Sequence, residues 1–135
     1  LIMDNNLKKH IVITGSLDNK NELPFMYADS DVVVSIPSSD SSPLTVYESM
    51  ACHVPVIVSD LEWYKDSFIP NKHLVTIPLR DEISLSKEIL GVLNGDTHLD
   101  LNDAQENVFK NFNYKNENNK LLTLMDKLIS ETTNE

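Results

Sequence analysis

Four short runs of residues are apolar throughout instead of alternating, and they constrain the fold more than any other feature. Runs of this kind are typical of strands buried on both faces of a sheet. Stretches with helical character lie between the first and second runs, between the second and third runs, and after the fourth run. Because parallel neighbours need crossover connections, this alternation predicts an α/β fold, a Rossmann-like, doubly wound parallel sheet with helices on both faces. The runs are residues 10–15, 31–37, 55–60 and 74–77, and the helical stretches 22–30, 43–52 and 81–94.

Several helix ends can be predicted from individual residues. Ser42 followed by Pro43 predicts a helix start, with the Ser42 hydroxyl as the cap. Gly95 follows the apolar pattern of residues 81–94 and predicts a left-handed helix end. Two further helical faces are expected, separated by a polar break at residues 113–119. The first consists of Ala104, Val108, Phe109 and Phe112, and the second of Leu121, Leu122, Met125, Leu128 and Ile129.

The length and charge of the chain narrow the classes of function. With 135 residues we expect a single domain, residues 1–135. The formal net charge is −10, and no cluster of Lys or Arg is present, so nothing favours binding to nucleic acid or to an anionic lipid surface. The longest apolar runs have about five residues, far short of the roughly 20 that a transmembrane helix needs.

Cysteine content and the first residues indicate where the protein works. Cys52 is the only cysteine, so an internal disulfide is impossible, and no spacing of Cys and His resembles a zinc site. The amino terminus has neither the basic start nor the apolar stretch of a secretory signal. We therefore expect a cytoplasmic protein without a zinc site. The chain begins with Leu1, which suggests a fragment of a larger enzyme.

The segment 35–60 is the most informative, because it is expected to run strand, loop, helix and strand. In an open parallel sheet, ligands bind beyond the carboxyl ends of the strands, where this loop would lie. The loop leads into a helix amino terminus, whose free amides and dipole suit a phosphate or pyrophosphate. Asp40 in the loop and Glu48 in the helix are eight residues apart. Two carboxylates at this spacing can contact different parts of one elongated ligand.

This segment resembles the carboxyl-terminal domain of retaining glycosyltransferases of the GT-B fold, group 1 (glycosyltransferase family 4). Members carry two Glu residues separated by seven others, in a context like E-G-F-G-L-P-L-L-E-A-M-A-x-G-x-P-V-I, after a strand ending in P-S. The chain reads P-S at 37–38, then Asp40, seven residues, Glu48 and S-M-A-C-H-V-P-V-I. Residues 12–17 and 23–32 are similar to the family's V-x-F-x-G-x-L and L-x-x-x-Y-x-x-A-D-V stretches. The close resemblance covers residues 11–68.

The resemblance implies transfer of a sugar from a nucleotide-sugar donor to an acceptor hydroxyl, in the synthesis of a polysaccharide or cell-envelope glycan. Glu48 would bind the ribose hydroxyls of the donor, since a carboxylate offers acceptors to a vicinal diol. Asp40, at the first acidic position, would lie near the donor sugar as the catalytic residue. The donor is a substrate, so no cofactor is implied. No metal ion is expected, because Asp40 and Glu48 are assigned to hydroxyls. The remaining donor-binding residues would be Gly15, Ser16 and Leu17 near the base, and Ser41, Ser42, Leu44 and Thr45 near the diphosphate.

The resemblance also implies parts that lie outside the chain. The basic pair that neutralises the diphosphate belongs to a preceding segment, and a glycan or lipid-linked acceptor would bind an amino-terminal domain, which could place the enzyme at the membrane periphery. This chain alone is expected to be inactive. Two departures, Asp40 for Glu and His53 for Gly, keep a second hypothesis open, a noncatalytic nucleotide-binding or interaction module. Another GT-B enzyme, such as a sugar-nucleotide epimerase, is a third, because fold alone does not fix the reaction.

Several other residues receive structural interpretations. Cys52 is expected to pack as a small apolar side chain. Trp63 and Tyr64 are expected to cover the helix and the sheet edge, with stacking against a base or an acceptor sugar as the alternative. His53 is expected to adopt a positive φ after the helix, either as a strained cap or with its ring towards a ligand. The other three histidines, His10, His73 and His98, are interpreted as surface residues.

Overall fold

The computed structural model describes residues 7–18 and 21–132. Within these residues, three strands and five α-helices follow one another in the order α1, β1, α2, β2, β3, α3, α4, α5, with 3-10 turns at Lys8–His10 and Glu62–Tyr64. The helices are α1 Leu23–Ala28, α2 Leu44–Ala51, α3 Glu82–Leu93, α4 Leu101–Asn111 and α5 Tyr114–Thr132, and the strands are β1 Val33–Ser35, β2 Val56–Ser59 and β3 Val75–Ile77.

The three strands form one parallel sheet in the order β1-β2-β3. Val34 pairs with Ile57 across the first ladder, and Ile57 with Val75 across the second. Every residue of the central strand β2 is buried, as expected for a strand covered on both faces. The predicted α/β architecture and three of the four predicted strands are therefore confirmed.

Helices cover both faces of the sheet, as a doubly wound fold requires. On one face, Val56 and Val58 of β2 pack against α2 and α4. On the other, Ile57 joins Val75 and Ile77 of β3, and α3 packs there through Leu85 and Ile89. Alternation along β2 thus sends successive side chains into two separate cores. The core on the α2 face contains Val46, Tyr47, Met50, Tyr64, Phe68, Leu74, Ala104 and Val108 with Val56 and Val58.

The strand predicted at residues 10–15 is wrong. Residues 8–10 form a 3-10 turn, and residues 11–15 have no regular structure. The side chains of Val12 and Ile13 are 86% and 84% exposed. A strand exists only where a neighbour accepts its backbone hydrogen bonds, and the sheet of the described residues ends at β1. The apolar run showed that the segment has strand propensity, but it did not show whether a neighbouring strand was available for pairing.

Backbone geometry defines both ends of α2, whereas α3 and α4 begin with side-chain caps from Asp81 and Asp100. Pro43 is the N-cap of α2 and no side chain caps this end, so the predicted Ser42 cap is wrong. At the other end, His53 has a φ of 64°, and its amide donates to Met50 while that of Val54 donates to Ser49. These two bonds form a Schellman motif. Gly95 ends α3 in the same way, with a φ of 76°, which confirms its predicted position.

The carboxyl-terminal helices depart from the expected pattern in two places. Ala104 and Val108 of α4 are buried as predicted and Phe112 is partly buried, but Phe109 is exposed. The break between the two helices is shorter than predicted, residues 112–113, because α4 ends at Asn111 and α5 begins at Tyr114. Side chains on the predicted α5 stripe that the structure describes are about half exposed, namely Leu121, Leu122, Met125 and Ile129. Among the described helices, none combines the length and the apolar character needed to cross a membrane.

Candidate functional site

The amino terminus of α2 faces the loop that leaves the carboxyl end of β1. α2 is held in place by its buried face, which includes Val46 and Met50. The first bonded amide of the helix is that of Val46, which donates to the Pro43 carbonyl. The amides of Leu44 and Thr45 donate to no described residue. Two backbone donors at the positive end of a helix dipole are therefore open to a ligand.

Asp40 lies exposed in the loop before α2, where the sequence placed it. Its Oδ1 accepts the amide N–H of Ser42 at 3.0 Å, which closes an Asx turn. The Ser42 amide is therefore already bonded within the loop in this conformation. The second carboxylate oxygen of Asp40 has no partner among the described residues. Ser41 is exposed beside it.

Glu48 lies on the half-buried face of α2, one turn beyond Leu44 and Thr45. The hydroxyl of Tyr27 donates to its Oε2 at 3.1 Å, while Oε1 has no partner among the described residues. Tyr27 is only 6% exposed. Burial raises the pKa of its phenol, and the hydrogen bond to Glu48 raises it further. The phenol therefore stays protonated and acts as a fixed donor to the carboxylate.

Glu48 borders two clefts. The smaller, about 220 Å³, lies between α1 and α2 and is lined by Leu23, Pro24, Tyr27, Glu48, Ala51 and Cys52. The larger, about 530 Å³, lies between α2 and the start of α5 and includes Leu44, Tyr47 and Phe109. A carboxylate at the border of two clefts is accessible to a ligand from more than one side.

Gly15, Ser16 and Leu17 stand before α1, in the part of the chain that contains no strand. Gly15 has a φ of 71°, a conformation that glycine adopts without a steric penalty. Within the described part of the chain, none of the three residues forms a hydrogen bond to α2. The structure thus brings Leu44, Thr45 and Glu48 together on one helix and places Asp40 at its entrance, but it shows no direct link to Gly15, Ser16 and Leu17.

The model of one protein family matches residues 1–118 of the chain, and its description is glycosyl transferases group 1. The chain belongs to this family. The match covers most of the chain and includes every residue of the candidate site. It confirms the resemblance at the level of group 1. No curated protein sequence matches the chain.

The fold is similar to that of a solved structure, sucrose-phosphate synthase from Thermosynechococcus elongatus. The TM-score is 0.81 at 23% sequence identity, over 96% of this chain and 33% of the synthase chain. Similarity at this identity shows the fold, a fragment of the GT-B architecture. The present chain therefore spans about a third of the length of the synthase chain.

Tyr27 is the residue of the site that sequence reasoning missed. It occupies the tyrosine position of the stretch 23–32, which carries part of the resemblance to the family. Its 21-residue separation from Glu48 gives no local signal of contact. The packing of α1 on α2 creates the contact, so the signal lay in the family pattern alone.

Other residues with predicted roles prove to be structural. Tyr64 is buried and its hydroxyl donates to Asp60, while Trp63 packs edge-on to Tyr47 with ring centroids 6.1 Å apart, so both cover the core as expected. The ring of His53 contacts Asn102 at 3.1 Å. It therefore contacts α4 instead of pointing at a ligand.

His73 corrects the expectation of a surface residue, because it is 3% exposed. Cys52 is half buried, with its thiol near the Pro24 carbonyl, and burial raises the pKa of this thiol, which disfavours the nucleophilic thiolate. In the described ranges, no three His, Cys, Asp or Glu side chains converge as a metal site would require.

Proposed function

We propose that this group 1 domain binds the nucleoside diphosphate part of a nucleotide-sugar donor, as the donor-binding domain of a larger, two-domain retaining glycosyltransferase of family 4. The observation that carries the proposal is the placement of Glu48 on α2. Its Oε1 is free of described partners, one helical turn beyond the open amides of Leu44 and Thr45. Family membership supports the reaction class.

The geometry fits the two ends of a nucleoside diphosphate. The open amides and the helix dipole stabilise an anionic diphosphate, and a carboxylate accepts hydrogen bonds from both hydroxyls of a ribose. A rise of about 1.5 Å per residue separates the two groups by about 5 Å along the axis. One ligand can therefore contact both.

The charge of the domain indicates what the rest of the enzyme has to provide. The net charge is −10, and Arg80, the single arginine of the sequence, lines a separate cleft on the α3 side. The larger cleft beside Glu48 has Lys115 as its basic lining residue. A bound diphosphate needs cations to offset its own charge. We therefore assign the basic side chains, together with the site for a glycan or lipid-linked acceptor, to parts of the protein beyond this domain. The proposed setting is cytoplasmic synthesis of a polysaccharide or envelope glycan.

Transfer would follow from orientation and charge stabilisation. Asp40, with one carboxylate oxygen free of described partners, would bind hydroxyls of the donor sugar and fix the anomeric carbon relative to the acceptor. The amides of Leu44 and Thr45 would stabilise the charge that grows on the leaving diphosphate. Neither step requires a metal ion or a cofactor.

A noncatalytic nucleotide-binding module is the second candidate function. The observation that favours it is the Asx turn, in which Asp40 binds the backbone of its own loop at 3.0 Å. In that case Asp40 would shape the loop and would contribute nothing to recognition of the sugar. Nucleotide binding without preference for the sugar-bearing form would support this candidate.

The proposal is tested by amide-resolved NMR titration of the chain with UDP, GDP and ADP. We expect one nucleotide to shift the amide resonances of Leu44 and Thr45. Glu48→Gln should weaken this binding about tenfold, because it removes a charge-assisted acceptor. Glu106→Gln, a matched change at an exposed position of α4, should leave the affinity unchanged. Absence of shifts with all three nucleotides at millimolar concentration, or equal affinity of Glu48→Gln, would contradict the proposal.

A further inference from the structure

The contact between Tyr27 and Glu48 joins two helices at the candidate site. Tyr27 is buried on α1, and its hydroxyl donates to Glu48 Oε2 on α2 at 3.1 Å. The ring is enclosed, so the hydroxyl has a fixed position relative to α2. Glu48, by contrast, is only half buried, and a glutamate side chain without a partner populates many rotamers.

The hydrogen bond from Tyr27 engages one carboxylate oxygen of Glu48 and leaves the other available. Oε2 accepts from Tyr27, and Oε1 has no partner among the described residues. A hydrogen bond to an ionised acceptor is stronger than a neutral one. The buried phenol can therefore hold the carboxylate in one orientation, with Oε1 available to a ligand.

We propose that Tyr27 is the positioning residue for Glu48, and that its hydroxyl fixes the carboxylate so that Oε1 meets the ribose hydroxyls of the donor. This inference rests on the proposed function. Tyr27 touches no reacting atom and acts only through Glu48. The ring of Tyr27 supports the packing of α1, whereas its hydroxyl selects for a ribose.

The first measurement needs no ligand. In protein labelled with carbon-13 at glutamate side chains, we expect Tyr27→Phe to shift the Glu48 carboxylate resonance, because the hydrogen bond is lost while the ring remains. Tyr64→Phe is the matched control, since it removes another buried hydroxyl that donates to a carboxylate, that of Asp60. It should leave the Glu48 resonance in place. Thermal unfolding of both variants checks that each is folded.

The second measurement compares the nucleotide that binds the wild type with its 2′,3′-dideoxy analogue. For the wild type we expect the ribonucleotide to bind about tenfold more tightly, the scale of one charge-assisted hydrogen bond. Tyr27→Phe should reduce this ratio towards one without weakening the dideoxy form. A purely structural role of Tyr27 would weaken both ligands equally and would keep the ratio.

The outcomes separate the two proposals. A shifted Glu48 resonance together with a lost ribose preference in Tyr27→Phe supports the inference. An unshifted resonance, or a preserved ratio in a wild type and variant that both bind, overturns it and leaves the proposed function standing. A wild type with no nucleotide binding or no ribose preference overturns the proposed function, and the ribose-directed role of Tyr27 is overturned with it.

Discussion

The imidazole of His73 donates through Nε2 to Oδ2 of Asp103 at 2.7 Å, while its Nδ1 accepts the backbone N–H of Ile69 at 3.1 Å. The two bonds define the neutral tautomer with the proton on Nε2. They attach the loop before β3 to the first turn of α4. Asp103 also binds Lys72, so one carboxylate joins two successive residues of that loop to the helix.

Replacing His73 tests the strength of this attachment. We expect His73→Ala to lower the free energy of unfolding by about 2 kcal/mol, because a buried side chain is lost and the Ile69 amide is left without its acceptor. Urea denaturation followed by circular dichroism measures the change. His98→Ala, at an exposed position, should cost far less. Equal effects of the two substitutions would show that the attachment contributes little to stability.

The carboxylate of Asp103 should make the free energy of unfolding depend on pH. Its hydrogen bonds to Lys72 and then to His73 lower the pKa below the ordinary 3.8. The unfolded chain therefore takes up the proton first as the pH falls, so the stabilisation is present above about pH 4 and disappears through the lowered pKa. We expect Asp103→Asn to be less stable than the wild type at pH 7, with a smaller difference at pH 3. Urea denaturation at both values measures this.

The control for this pH dependence is Asp66→Asn, at an exposed aspartate without a described ion pair. Its difference from the wild type should stay small at both pH values. A constant difference between the wild type and Asp103→Asn would contradict the linkage.

His53 should be a site where glycine stabilises the protein. Its φ of 64° imposes a strain on any side chain with a Cβ, and glycine avoids it. We expect His53→Gly to raise the free energy of unfolding by about 1 kcal/mol and His53→Val to lower it, as measured by thermal unfolding. Asn102→Ala isolates the contact between the ring and α4. A loss of stability in His53→Gly larger than that in Asn102→Ala would contradict the expectation.

Substitutions of Asp40 should distinguish its role in recognising the sugar from its role in shaping the loop. Asparagine retains the Oδ1 acceptor of the Asx turn, whereas alanine does not. We expect Asp40→Asn to bind the nucleoside diphosphate as the wild type does, but to lose the extra affinity for the sugar-bearing form about fivefold, because a carboxylate accepts more strongly from sugar hydroxyls than an amide does. Isothermal titration with both ligands measures the ratio.

The matching control is Asp40→Ala, in which the turn is also lost and both ligands should bind more weakly. If Asp40→Asn keeps the wild-type ratio, the carboxylate has no role towards the sugar. That result would favour the noncatalytic module over the transferase.

The local sequence was sufficient to predict the elements that carry much of the site. Apolar runs predicted β1, β2 and β3, and the pattern around Glu48 predicted the helix that carries it. The spacing of Asp40 and Glu48 placed one at the helix entrance and the other inside the helix, because the helical repeat is a local property. Gly95 and His53 were also predicted in place, since a positive φ is a property of single residues.

Tertiary structure decided what depends on a partner distant in sequence. The apolar run at residues 10–15 has no neighbouring strand among the described residues and stays exposed. His73 reads as polar, yet it is buried because Asp103, 30 residues away, satisfies its ring. Tyr27 meets Glu48 only because α1 packs on α2. Propensity and periodicity are encoded within a few residues, whereas hydrogen-bond partners and burial arise when distant segments meet, and only the folded chain shows which segments do.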